Sequence, residues 1–194
     1  MSSNYSAATL RRALLSRETV ATQFTLIVGG VFFLAAMAQI SLPIPGSPVP
    51  VTGQTLATLL LGSAYGATLG ITTFASYLAL GAVGAPFFAQ GAHGYHVISG
   101  ATGGYLVGML VASAITGALA GRKWDQRIRT VIPTMILGNA ATFAFGLFWL
   151  HHVTQQSWSW TISKGLTPFL LGEFLKMAIA STAMPTLWRF VSRR

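Results

Sequence analysis

A stretch of 103 residues, 19–121, contains no Asp, Glu, Lys or Arg. A soluble domain needs charged side chains to keep its surface hydrated, so a stretch of this length excludes an ordinary soluble fold. The whole chain agrees, because 53% of its residues are hydrophobic and only 8% are charged. The sequence therefore predicts an all-α integral membrane protein, with a polar N-terminal segment, residues 1–20, and one membrane domain, residues 21–194.

Apolar segments of membrane length divide this domain into a compact bundle of six transmembrane helices. Residues 54–84 would form one helix of about 46 Å at 1.5 Å per residue, which exceeds the apolar core of a bilayer, about 30 Å. A break between Gly62 and Gly66 removes this excess. The predicted spans are residues 24–42, 54–64, 66–84, 104–121, 130–151 and 168–190.

The basic residues fall on one side of the predicted bundle. Ten of the twelve Lys and Arg residues lie before the first span, between the fourth and fifth spans, or at the end of the sixth: Arg11, Arg12, Arg17, Arg122, Lys123, Arg127, Arg129, Arg189, Arg193 and Arg194. Cytoplasmic loops carry an excess of Lys and Arg, so we expect both termini in the cytoplasm. The net charge of +9 then reflects contact with membrane lipid headgroups, not with nucleic acid. A signal peptide cleaved after residues 36–38 would instead leave five spans and lose this distribution.

Glu173 and Lys176 break the apolar pattern of the sixth span. Charged residues inside a membrane helix are costly and mark functional sites by default. Their spacing of three places both on one helix face. Two interpretations stay open: Lys176 donates to a ligand carboxylate while Glu173 accepts N–H groups or orients the lysine, or the two form a self-neutralised pair that holds helices together. Asn139 is a further polar group within the fifth span.

The two long connections, residues 43–53 and 85–103, are both expected on the outer side. The second contains aromatic, amide and histidine side chains among glycines, a mixture that suits a small amphipathic ligand or an ordinary interfacial loop. His93 and His96 have no nearby carboxylate or cysteine, so they predict no metal site. The chain has no Walker loop and only three acidic residues, which argues against ATP binding and against an enzyme.

Four separated motifs carry a resemblance to a known family. They are Pro48-Val-Pro-Val-Thr-Gly-Gln-Thr-Leu-Ala57, Gly81-Ala-Val-Gly-Ala-Pro86, Gly100-Ala-Thr-Gly-Gly-Tyr105 and Gly172-Glu-Phe-Leu-Lys176. In this order the chain resembles the BioY family, the biotin-specific S components of energy-coupling factor (ECF) transporters. The resemblance implies a six-helix protein of a prokaryotic plasma membrane that binds biotin from the outside, without a cofactor. It also implies a transmembrane coupling protein and two cytoplasmic ATPases as partners, or transport without them.

The resemblance also suggests how the candidate residues meet biotin. Aromatic side chains can face its apolar ring and tail, Lys176 its carboxylate, and polar side chains the N–H groups of its ureido ring. The end of biotin that meets the sixth span stays open, as do the alternatives of another carboxylated vitamin and of a stand-alone channel. The expected ligand-binding residues are Lys176, Glu173, Phe88, Gln90, Tyr105, Asn139, Phe87 and Tyr77.

Overall fold

The computed structural model describes residues 9–15 and 19–191. Arg17, Arg193 and Arg194, and most of the predicted segment 1–20, lie outside these residues. Six long helices of the described part follow the six predicted spans in order. The helices are α1 (Leu10–Leu14), α2 (Val20–Gln39), α3 (Gln54–Tyr65), α4 (Ala67–Ala82), α5 (Tyr95–Ser99), α6 (Gly103–Ala120), α7 (Ile128–Thr154), α8 (Trp158–Gly165) and α9 (Leu170–Val191).

The fold is mostly helical but not strictly all-α. Helix α2 ends at Gln39, three residues earlier than predicted, because Ser41–Leu42 (β1) pairs antiparallel with Val51–Thr52 (β2). Four prolines lie between these two strands and deny the chain helical hydrogen bonds. At its other end, α2 begins at Val20, where the Thr19 hydroxyl accepts from the backbone N–H of Thr22 at 3.1 Å.

Helices α3 and α4 are separated at Gly66, which lies within the predicted break. This residue has φ +81°, a conformation that glycine adopts without steric cost, and it separates α3 from α4. Helix α6 approaches the break closely, since a Cβ on Gly117 would lie 2.4 Å from the backbone nitrogen of Ala67. Both glycines therefore position α6 at the centre of the bundle.

The predicted connections contain ordered turns and short helices. Helix α5 and a 3-10 turn, Ala89–Gly91, lie in the connection after α4, and α8 lies between α7 and α9. The last helix begins at Leu170, two residues later than predicted, because Thr167–Phe169 forms a 3-10 turn. The Thr167 hydroxyl donates to the Ile162 carbonyl of α8 at 3.2 Å, which ties this turn to α8.

Two apolar clusters fill the interior of the bundle. The larger one includes Leu34, Phe74, Tyr77 and Tyr105 and lies beneath the two long connections. The smaller one fills the opposite end and consists of Leu10, Leu59, Val131, Met135, Ala180 and Met184. Because Leu10 belongs to the smaller cluster, α1 closes that end of the bundle.

The exterior carries many large apolar side chains. Phe24, Phe148, Leu171 and Phe174 are each at least 67% exposed, which a surface in water would not favour. Among the described residues, three helices are long and apolar enough to cross a membrane: α2, α6 and α7. Helix α4 is apolar but shorter, and α9 carries the charges of residues 173, 176 and 189.

Candidate functional site

A cavity of about 280 Å³ lies between the two long connections and helices α3, α6, α7 and α9. Its wall is formed by the hairpin residues 48–52, the segment 88–102, and side chains of the surrounding helices. Four of the eight predicted ligand-binding residues line it: Phe88, Gln90, Tyr105 and Glu173. Phe87, Tyr77, Asn139 and Lys176 do not line it, and lie behind residues that do.

Glu173 is the anionic group of the cavity wall, and its carboxylate is held by three donors. Oε1 accepts from the Lys176 ammonium at 2.6 Å and from the Thr55 hydroxyl at 2.9 Å. Oε2 accepts from the Asn139 amide at 3.1 Å. A carboxylate offers about four lone-pair sites, so one on Oε2 is left for a donor in the cavity. Asn139 Oδ1 is buried and has no hydrogen-bond partner within the described residues, which leaves a second acceptor beside Glu173.

Lys176 is surrounded by acceptors of the protein itself. Its ammonium donates to the Thr52 carbonyl, to the Thr55 hydroxyl at 3.1 Å and to Glu173. An ammonium has three N–H donors, so all of them are used in this arrangement. The side chain is only 14% exposed. Lys176 therefore neutralises and orients Glu173 instead of presenting its charge to the cavity.

A series of hydrogen bonds connects the cavity wall to Tyr77 and Phe87. Gln54 lines the cavity, and its side-chain amide donates to the Tyr77 hydroxyl at 2.7 Å. The Tyr77 hydroxyl donates in turn to the Phe87 carbonyl at 3.0 Å, and Gln54 Oε1 accepts from the Thr52 hydroxyl at 3.1 Å. Tyr77 and Thr52 thus fix the orientation of the Gln54 amide, which keeps one N–H and one lone pair for a ligand.

Aromatic rings form the apolar part of the site. Phe88 is almost fully buried and packs closely against Gly81, where a Cβ would lie 2.4 Å from its ring. Tyr105 stacks on Phe169 with ring centroids 6.3 Å apart. The Tyr105 hydroxyl donates to the Gly165 carbonyl at 2.8 Å, so its polar end is satisfied away from the ligand space. The rings therefore offer apolar contact to whatever fills the cavity.

A model of the BioY family matches residues 7–193. The chain belongs to the BioY family. It is 33% identical over 168 residues to a protein named biotin transporter BioY2 from Lactococcus lactis subsp. cremoris, covering 85% of this chain and 89% of the relative. It is 31% identical over 156 residues to the biotin transporter BioY of Thermotoga maritima, covering 80% of this chain and 90% of the relative.

The fold also resembles a solved member of this class. The structure superposes with a TM-score of 0.78 on a crystal structure of the S-component for biotin from an ECF-type ABC transporter. The sequences are 20% identical, and the match covers 89% of this chain and 95% of the other. The predicted S-component fold is thereby confirmed. Because the BioY relatives are transporters, the prediction that the chain is not an enzyme is confirmed as well.

Sequence reasoning missed two polar residues of the cavity wall. Gln54 and Thr55 belong to the second half of the first BioY motif, but a polar pair at the start of a helix also looks like an ordinary N-terminal turn. Their hydrogen bonds to Tyr77 and Glu173 come from residues far along the chain. The sequence contained part of the evidence, because both residues place polar groups in an apolar segment. Buried polar groups need hydrogen-bond partners.

Gln39 was also missed, and it holds the connection that covers the cavity. Its amide nitrogen donates to the Phe88 carbonyl at 3.1 Å, and its oxygen accepts from the Gly91 N–H at 2.9 Å. Between these two contacts, Gln90 has a left-handed conformation with φ +60°. These two hydrogen bonds from Gln39 therefore stabilise a tight turn that places Phe88 and Gln90 at the cavity.

The histidines of this connection separate into two positions. Both are exposed, but His96 lines the cavity, whereas His93 Nδ1 lies 3.3 Å from the Gly91 carbonyl. Within residues 9–15 and 19–191, no group of three or more His, Cys, Asp or Glu side chains is placed to hold a metal ion. His96 thus brings an imidazole ring to the cavity wall.

Proposed function

We propose that this BioY protein is the membrane subunit that binds biotin from the outer side and mediates its uptake. The observation that carries the proposal is the division of one cavity into an aromatic wall and a polar end at Glu173 and Gln54. Its volume, about 280 Å³, is near the lower limit of small-molecule sites, which suits a compact vitamin. The BioY relatives named biotin transporters support the same ligand.

The polar end fits the ureido ring of biotin better than its carboxylate. A ureido group has two N–H donors and one carbonyl acceptor. Glu173 keeps one lone pair, and the Gln54 amide keeps one N–H and one lone pair, so together they can match all three groups. A ligand carboxylate at this end would face the Glu173 anion, which is unfavourable. The proposal therefore places the ureido ring at α9 and the carboxylate near the outer segment 89–102.

This orientation assigns Lys176 a different role from the one expected from sequence. Its three N–H donors are already directed to the protein, so its effect on biotin passes through Glu173. At the other end of the cavity, His96 and the backbone of the outer connection are available to the ligand carboxylate. Phe87, Tyr77 and Asn139 support the wall residues, and Phe88, Gln90 and Tyr105 contact the ligand.

An apolar layer beneath the polar end favours a binding site over a channel. Leu59 lies one helical turn beyond Thr55, Met135 one turn before Asn139, and both belong to the tightly buried smaller cluster. A pore would need a polar or hydrated path through this layer. The proposal is therefore a site that closes on its ligand and releases it after a rearrangement.

We place six helices, α2, α3, α4, α6, α7 and α9, across the plasma membrane of a prokaryote, with both termini in the cytoplasm. The Trp188 indole of α9 donates to Asp125 in the α6–α7 connection at 2.6 Å, and Leu10 packs in one cluster with Met184. These contacts support a common side for α1, the basic connection 121–127 and the end of α9. Excess positive charge marks that side as cytoplasmic.

Uptake driven by ATP has to draw its energy from other polypeptides, because the sequence has no Walker loop, whereas uptake by this chain alone would be facilitated. The proposed partners are an ECF transmembrane coupling protein and two cytoplasmic ATPases, in line with the S-component that shares this fold. Uptake of radiolabelled biotin by a biotin-auxotrophic host tests the function, with this chain expressed alone and with the three partners. We expect uptake above the empty-vector level that excess unlabelled biotin abolishes. A chain that inserts normally but gives no uptake in either setting would refute the proposal.

A further inference from the structure

A second concave feature lies on the outside of the bundle, between α7 and α9. This groove has a volume of about 300 Å³ and shares no lining residue with the cavity described above. Helix α7 contributes Ile128, Ile132 and Ile136, which are 45–54% exposed, and α9 contributes side chains between Phe174 and Thr182. The groove is thus an open apolar surface and not part of the candidate biotin site.

The dimensions of the groove match one lipid chain. The isoleucines are spaced by four residues, so they form a single stripe along α7. From Ile128 to Ile136 the helix rises about 12 Å, as it does on α9 from Phe174 to Thr182. One leaflet of a bilayer contributes half of an apolar core of about 30 Å. The groove therefore runs along most of one leaflet, beginning at the cytoplasmic end of α7.

Positive charge lies at that cytoplasmic end. Arg127 and Arg129 flank Ile128 in the sequence, and both side chains are exposed. Neither guanidinium makes a hydrogen bond or an ion pair within the part of the chain that the structure describes. The carboxylate of Asp125, two residues before Arg127, is buried and accepts from Trp188 instead. Arginine is suited to phosphate because its planar group can donate two parallel hydrogen bonds.

We propose that the α7–α9 groove binds one anionic phospholipid of the cytoplasmic leaflet. Its acyl chain lies against the isoleucine stripe and its phosphate accepts from Arg127 and Arg129. The bound lipid bridges the two helices that carry Asn139 and Glu173, and so stabilises the packing of α7 on α9 close to their hydrogen bond. This site depends on the membrane orientation proposed above but not on the identity of the transported ligand.

Native mass spectrometry of the purified protein tests the site, with phosphatidylglycerol and phosphatidylcholine titrated as separate probes. We expect one phosphatidylglycerol to bind with at least about tenfold preference over phosphatidylcholine. Each of the two arginines attracts the anionic headgroup of phosphatidylglycerol. The double variant Arg127→Gln/Arg129→Gln should lose this preference. The matched control Arg122→Gln removes an exposed charge from the same connection, away from the groove, and should keep it.

A steric variant tests the apolar half of the site. Ile132→Trp fills the groove and should reduce binding of phosphatidylglycerol, whereas Leu137→Trp adds the same bulk to another face of α7 and should not. Elution volume and thermal unfolding of each variant confirm that it is folded. Equal binding of the two lipids, or binding unchanged in both groove variants, would overturn the proposal. So would a dimer that Ile132→Trp dissociates, because a second copy would then occupy the groove.

Discussion

The Lys176 ammonium lies 2.6 Å from Glu173 Oε1, and all three of its N–H donors are directed at acceptors of the protein. This arrangement makes the lysine a counter-ion that holds a carboxylate at the cavity wall. Of the two interpretations left open by the sequence, this geometry favours the self-neutralised pair for Lys176, while Glu173 keeps a lone pair for the proposed ligand. The two contributions can be separated by substitution.

Lys176→Met should weaken biotin binding at least about a hundredfold, because removing one partner of a buried pair costs about 3 to 5 kcal/mol. It should also lower the unfolding temperature. The double variant Lys176→Met/Glu173→Gln removes both charges, so we expect it to recover thermal stability but not affinity. Calorimetric titration and thermal unfolding of both variants make the comparison. Normal biotin affinity in Lys176→Met would reduce the pair to a helix contact.

Gln54→Leu should lower the affinity for biotin about tenfold to a hundredfold, because it removes the donor and the acceptor proposed for the ureido ring. Tyr77→Phe should have a smaller effect in the same direction, since Tyr77 only orients the Gln54 amide. Tyr65→Phe is the matched control, as its hydroxyl donates to Leu26 away from the cavity. Titration of each purified variant measures the change. Gln54→Leu with unaltered affinity would show that the ureido ring does not meet α3.

Gln39→Ala should accelerate both association and dissociation of biotin, because it removes two hydrogen bonds that hold the turn covering the cavity. The equilibrium constant should change less than either rate. Gln23→Ala on the same helix serves as the control. Stopped-flow measurement of the intrinsic fluorescence change on binding resolves the two rates. If Gln39→Ala changed the affinity with no change in association rate, the hydrogen bonds of Gln39 would not control access to the cavity.

Asp125→Asn should stabilise the protein above about pH 6 and have little effect near pH 4. Burial raises the pKa of Asp125 to about 6, against which the Trp188 hydrogen bond acts only in part. The folded protein thus binds a proton more tightly than the unfolded chain, so the wild type loses stability as pH rises from about 4 to 6. The full cost is up to about 3 kcal/mol, at about 1.4 kcal/mol for each pKa unit. Thermal unfolding at pH 4.5 and 7.5 compares the two proteins, and an equal gain at both values would contradict this account.

The helices were predictable because their signals are local. An apolar segment of membrane length, and a glycine that interrupts it, such as Gly66, can be read from the sequence itself. The short helix α8 was not predictable in the same way, since its residues 158–165 mix polar and aromatic groups without membrane length. The strand pair 41–42 and 51–52 depends on the turn between them as much as on their own residues.

The candidate site was predictable only in part: four of the eight predicted residues line the cavity, and Gln54 and Thr55 were not among them. Spacing alone placed Glu173 and Lys176 on one face, and their pairing followed. The direction of the Lys176 side chain depends on acceptors at Thr52 and Thr55. Each of these lies more than 120 residues from Lys176 in the sequence. Such contacts between distant segments set the direction of a side chain, and no local pattern encodes them.

Equilibrium binding of biotin to the purified protein in detergent tests the central claim most directly, with biotin methyl ester and a second vitamin as controls. We expect saturable one-to-one binding of biotin and none of the second vitamin. In the proposed orientation the ureido ring and not the carboxylate meets Glu173. The ester should then bind with only moderately reduced affinity, and Glu173→Gln should weaken both ligands alike. No binding by a well-folded sample would contradict the biotin assignment. Loss of ester binding with biotin binding unaffected by Glu173→Gln would contradict the orientation.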